Sequence, residues 1–153
     1  MKKKRYLLSV AEREKIISQI GTLHFKWSVS RGRDTYGYNI CSLWIDGKKV
    51  ASTCGGGYSM TGTVLGAWII QRFPEELKKL RPADFYGLSF YDTKTKKFRK
   101  QYGNGYKTCV DGGCGMESMN KILMAIGFGL DYPVYRSAKH TIFELKKAEE
   151  LYK

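Results

Sequence analysis

The stretch "ICSLWIDGKKVASTCGGGYSMTGTVLGAWII", residues 40–70, changes period twice. Ile40, Ser42 and Trp44 share one face of an extended segment, joined there by Tyr36 and Tyr38 just upstream. Asp46-Gly47 is the dipeptide that favours a two-residue hairpin turn, and a second strand over about 49–54 follows it. Beyond the three glycines the period becomes helical, with Met60, Val64, Leu65, Trp68 and Ile69 on one stripe and Gly62 and Gly66 a turn apart. A hairpin, a glycine loop and a helix in this order specify a mixed chain whose sheet is antiparallel.

Working outward, Ser9 and Glu12 form a capping box for a helix over about 10–20, striped by Val10, Ile16, Ile17 and Ile20 and stopped at Gly21. Leu23, Phe25, Trp27 and Val29 then alternate with Thr22, His24, Lys26 and Ser28, the period of a half-buried strand. Downstream, Pro74 opens a short helix with Glu75 and Glu76 in its first turn and Lys78 and Lys79 at its end, matching the helix dipole. The second half repeats the order. Strands around "FYGLSFY" and "FRKQY" flank the turn "DTKTKK", a glycine loop spans 111–115, and a helix carries Met119, Ile122, Leu123 and Ile126 up to Gly127. "YPVYR" and "HTIFEL" form a closing hairpin before the charged tail "KKAEELYK". The expected fold is α+β, an antiparallel sheet of hairpins with about three helices. A possible duplication relates halves 22–80 and 85–127 within a single domain, 1–153, that carries a basic tail over 1–8.

Composition narrows the function. The chain has 153 residues and 27 Lys and Arg against 14 Asp and Glu, a formal charge of +13. Such an excess attracts polyanions. No apolar run is long enough for a membrane span, and "MKKKRYLLSVAEREK" lacks the apolar core of a signal peptide, so a cytoplasmic location is expected. Cys41, Cys54, Cys109 and Cys114 are then reduced thiols in or near the core. Their spacing makes no compact pair of ligand pairs, and no metal site or cofactor is expected.

Two glycine loops lead into helix starts, where unpaired N–H groups receive anions. Gly55, Gly56, Gly57 and Tyr58 form one, and Gly112, Gly113 and Gly115 the other. Neither loop ends in Gly-Lys-Ser/Thr, which argues against nucleotide hydrolysis, and glycines also serve simply to turn a strand tightly into a helix. The densest basic and aromatic run is 85–107. Lys94, Lys96, Lys97, Arg99, Lys100 and Lys107 are placed to neutralise phosphates, and Tyr102 and Tyr106 to stack on bases, with Arg31 and Arg33 as a secondary cluster. Alternation makes at least half of the rings in that run core. Cys114 at a helix start, with His140 before "TIFEL", suggests a thiol nucleophile and its base. The short chain between them and the want of an orienting Asp or Asn favour a structural cysteine instead.

The segments "DTYGYNIC" (34–41), "CGGGYSMTGTVLGAW" (54–68) and "DGGCG" (111–115) together resemble a recurring family of small proteins encoded by bacteriophages and prophages, over roughly residues 30–127. Ser59 stands where that family often has Asp. The resemblance implies a phage accessory protein acting in the bacterial cytoplasm, and it supplies no activity. Many such proteins blunt host immunity, anti-CRISPR proteins and sponges for nucleotide signals among them. The expectation is a non-enzymatic phage protein that holds nucleic acid or a phosphorylated nucleotide in counter-defence, such as CRISPR inhibition. The alternatives are an inhibitor that grips a host defence protein directly and a Cys114-dependent thiol hydrolase.

Overall fold

The computed structural model describes residues 6–28, 40–54, 60–79, 91–92, 97–98 and 116–151. Helix α1, Val10–Gln19, opens on the expected capping box. The Ser9 hydroxyl accepts from the Glu12 N–H at 3.2 Å, and the Glu12 carboxylate accepts from the Ser9 N–H at 3.2 Å. Replacing Ser9 by alanine orphans one donor of the first turn and is expected to cost about 1 kcal/mol in chemical denaturation. An unchanged midpoint would show the box to be idle. The stripe expected on α1 is only partly correct: Ile16 and Ile17 pack against the core, but Val10 is exposed, and the one buried residue of the helix is Arg13. The helix ends with Ile20 extended as the chain enters the sheet, and Gly21 keeps an ordinary φ.

Strand β1, Thr22–Ser28, pairs antiparallel with β2, Ile40–Ile45, and β2 with β3, Lys48–Cys54. Asp46 and Gly47, at φ 51° and 78°, make the tight turn between them, a conformation that Asp tolerates and Gly adopts freely. Helix α2, Met60–Arg72, and the short α3, Pro74–Lys78, follow, with Phe73 between them. Strands β4, Tyr91–Asp92, and β5, Lys97–Phe98, pair as a separate two-stranded sheet. Helix α4, Met116–Ile126, leads through Gly127 into β6, Phe128–Leu130. Next come β7, Tyr135–Arg136, β8, His140–Lys147, and α5, Ala148–Leu151.

The main sheet is antiparallel, in the order β3-β2-β1-β8-β6, with β7 also on β8. The fold is therefore α+β with hairpins, and five helices occur among the described residues. The closing hairpin is present, and its first arm begins earlier than "YPVYR". Leu130 faces Leu145 and Tyr135 faces Ile142, so 131–134 bulges opposite only Phe143 and Glu144, and Pro133 within the bulge has no N–H to give. Of the charged tail, Ala148–Leu151 form α5, and the Ala148 N–H donates to the Gly127 carbonyl at 2.9 Å.

Alternation assigns the two faces. Leu23 and Phe25 of β1, Cys41 and Leu43 of β2, Ala51 of β3 and Leu145 of β8 are buried, joining Val64, Leu65, Trp68 and Ile69 of α2 and Met119, Ile122, Leu123 and Ile126 of α4 in one core. Phe73 sits where the helices and sheet meet, with ring centroids 5.6 Å from Trp68 and 5.7 Å from Phe128. The face turned away from α2 and α4 carries His24, Lys26, Ser42, Trp44, His140 and Ile142, all half-buried. No helix among the described residues is long and apolar enough to cross a membrane.

Candidate functional site on the outer sheet face

Because β8 lies against β1, the outer face brings together residues from opposite ends of the chain. Lys26 stands directly opposite His140 in the β1–β8 ladder and opposite Ser42 in the β1–β2 ladder, while His24 stands opposite Trp44 and Ile142. The imidazoles of His24 and His140 meet on the diagonal, Nε2 to Nδ1 at 2.9 Å, with ring planes inclined at 48°. At that separation one ring donates an N–H and the other accepts through a lone pair.

Beside the histidines, the Lys26 ammonium lies 4.0 Å from the centroid of the Trp44 ring, a cation–π contact. The Trp44 indole N–H donates to the Ser42 hydroxyl at 2.9 Å, which fixes the ring across the strands. Backbone contacts hold the other histidine: the His140 N–H donates to the Ser137 hydroxyl at 3.1 Å, and the Ser137 N–H returns to the His140 carbonyl at 2.7 Å. Tyr135, opposite Ile142 and 54% exposed, extends the face toward the closing hairpin, where Tyr132 and Val134 are also exposed.

Burial holds the His24 imidazole below its ordinary value near 6.5, and the Lys26 charge and His140 push the same way. The unfolded chain therefore takes up this proton more readily than the folded one. The stability His24 contributes is complete above its unfolded value, falls as pH drops toward the folded value, and levels off below it.

A second concavity, about 680 Å³, lies behind the hairpin. Met116, Asn120, Leu130, Tyr132, Phe143 and Leu151 are among its lining residues. Asn120 stiffens one wall by accepting from the Leu130 N–H at 3.1 Å and donating to the Leu130 carbonyl at 3.4 Å.

Of the site residues read from sequence, His140 is described in full, and it is engaged by His24. Lys97 lies in β5 opposite Asp92. Lys94 and Lys96 lie outside the described residues. Arg31, Arg33, Gly55, Gly56, Gly57, Tyr58, Arg99, Lys100, Tyr102, Tyr106, Lys107, Gly112, Gly113, Cys114 and Gly115 lie outside the described residues. Cys41 is buried, and desolvation pushes its thiol up to about 12, so it is inert as a nucleophile. Among the described residues, no three His, Cys, Asp or Glu side chains converge as metal ligands.

Sequence reasoning missed the Lys26–Trp44 contact and the histidine pair. Their outward alternation was readable, but their proximity depends on which strands are neighbours. Comparison with protein-family models, curated proteins and solved structures finds no match.

Proposed function

We propose that the protein is a non-enzymatic binding protein that holds a polyanion, nucleic acid or a phosphorylated nucleotide, with the outer sheet face as part of the contact surface. The observation that carries this reading is Lys26 seated on Trp44 beside two histidines, on the sheet face that Tyr135 extends. A cation and aromatic surface lie side by side on a sheet, the pairing that serves phosphate and base together. The charge of +13 supplies long-range attraction. The resemblance to small phage proteins sets such binding in the bacterial cytoplasm, in counter-defence such as CRISPR inhibition.

A salt series tests it. Labelled single- and double-stranded oligonucleotides are titrated by fluorescence anisotropy, with affinity expected to fall steeply and linearly in log–log form as salt rises. Trp44→Ala is expected to weaken single-strand binding by about tenfold, the effect of losing one stacking surface. A flat salt response, or undiminished binding by the variant, counts against the reading.

The exposed Tyr132 and Val134 favour a second reading, in which the hairpin grips a host defence protein directly. Recovery of a nuclease-resistant protein complex that is lost on Tyr132→Ser substitution would support it.

A further inference from the structure

The geometry points to His24 and His140 as a proton-coupled oxyanion site, in which an oxygen of a phosphoryl group enters between the two rings and accepts an N–H from each, with Lys26 as the fixed neighbouring cation. This site rests on the polyanion reading and names the group that the face would contact.

As the rings stand, Nε2 of His24 and Nδ1 of His140 share one proton across 2.9 Å, so one of the two nitrogens is an acceptor and offers nothing to an anion. An oxyanion bound between them needs donors on both. One proton taken up from solvent converts the acceptor ring to imidazolium and breaks the ring-to-ring hydrogen bond, and the two N–H groups then repel, so that rotation of the rings apart opens room for one oxygen to accept from both. Without an anion this state is opposed, because two like-oriented donors and the Lys26 charge crowd a half-buried face. An anionic oxygen resolves the conflict, accepting both hydrogen bonds and offsetting the added charge.

Burial, the Lys26 charge and His140 hold the His24 imidazole below its ordinary value, a shift that an anion beside it would oppose. Among the described residues, the other charged and titratable groups on this face are Glu144 and Lys146 farther along β8, Tyr135 on β7 and Lys49 of β3 opposite Trp44, while β2 contributes the neutral Ser42 and Trp44.

Sulfate, a tetrahedral dianion whose charge does not change between about pH 5 and pH 8, is the probe, with sodium chloride at equal ionic strength as control. The chain has only two histidines, so their imidazole resonances are followed by NMR across that range. Sulfate is expected to raise the titration midpoints of the pair, and sulfate affinity is expected to rise about tenfold per pH unit of acidification until the free pair itself titrates, the slope of one linked proton. The H24Q/H140Q double variant is expected to lose that slope. Identical midpoints in sulfate and chloride, or a slope that persists in the double variant, would overturn the site.

Oligonucleotide binding by wild-type protein serves as the separating measurement. If it is salt-dependent yet indifferent to both histidine substitutions at every pH, the site fails and the polyanion reading stands. Sulfate-shifted histidines in a protein that binds no oligonucleotide or nucleotide would support the site and remove the reading it was built on.

Discussion

Replacing Arg13 by methionine is expected to cost about 3 kcal/mol of folding stability, read as a lower midpoint at unchanged slope in urea. Arg13 is 3% exposed and gathers three separate segments. Its Nε donates to the Leu8 carbonyl at 3.0 Å and the Ser9 carbonyl at 3.2 Å, its Nη1 to the Gly127 carbonyl at 3.0 Å, and its guanidinium edge pairs bidentately with Glu149. Tyr6 covers the plane, with its ring centroid 5.0 Å away. Methionine keeps the apolar stem and removes every donor, leaving the Leu8 carbonyl without the side chain that caps it. Glu149 is largely open to water and regains hydration, so the loss comes from the carbonyls and packing more than from the ion pair.

Arg13→Lys is expected to recover only part of the loss, because a single ammonium cannot span carbonyls and carboxylate together. The variant has an acid-side signature too. The Arg13 hydrogen bond holds the Glu149 carboxyl below its ordinary value of 4.5. The stability this confers is present above the unfolded value and is lost as pH falls through the folded one, so this acid-limb contribution should vanish in Arg13→Met. A cost under about 1 kcal/mol would mean that Arg13 is only tethered to these groups, not holding them.

Gly127→Ala is expected to cost about 3 kcal/mol for two independent reasons. Its φ is +126°, a conformation that L side chains rarely adopt, and an added Cβ would clash with Cδ of Arg13 and stand 2.9 Å from its Nε and 3.2 Å from Cβ of Tyr6. The backbone cost belongs to Gly127 alone, whereas the clash needs Arg13. In the Arg13→Ala background the glycine substitution should therefore cost at least about 1 kcal/mol less than in the wild type. Strict additivity in that double-mutant cycle would place the whole effect in the backbone and remove the steric argument.

Local chemistry made much of the fold legible. The capping box at Ser9 and Glu12, the Asp46-Gly47 turn, the alternation of β1 and the helical stripes of α2 and α4 each depend on residues a few positions apart, and each is where the sequence put it. What escaped depends on contacts between distant segments. Phe128–Leu130 is buried at every position, so it shows no alternation to mark it as a strand. Arg13 looks in the sequence like one more cation of a basic surface, and only its meeting with Gly127 and Glu149 makes it a core residue. "KKAEELYK" reads only as a charged tail, yet Lys147 pairs with Glu14 of α1 at 2.9 Å. The histidine pair belongs to the same class. His24 was visible among the polar positions of β1, but β1 and β8 are the first and last of the described strands, and nothing in either says that the other is its neighbour.

The bulge at 131–134 also bears on how copies of the protein behave toward one another. Among the described strands, β6 and β7 form one border of the main sheet, where a straight strand would present an even row of donors and acceptors to any chain that drifted alongside. Here the row is interrupted: β6 and β7 are out of step, Pro133 supplies no donor between them, and Arg136 adds a charge at the end. An incoming strand could match one half or the other but not both, and it would bring a second strongly basic chain with it. The same irregularity that lets one arm of the hairpin follow β8 along its length makes that border a poor template for fibrils or edge-to-edge dimers.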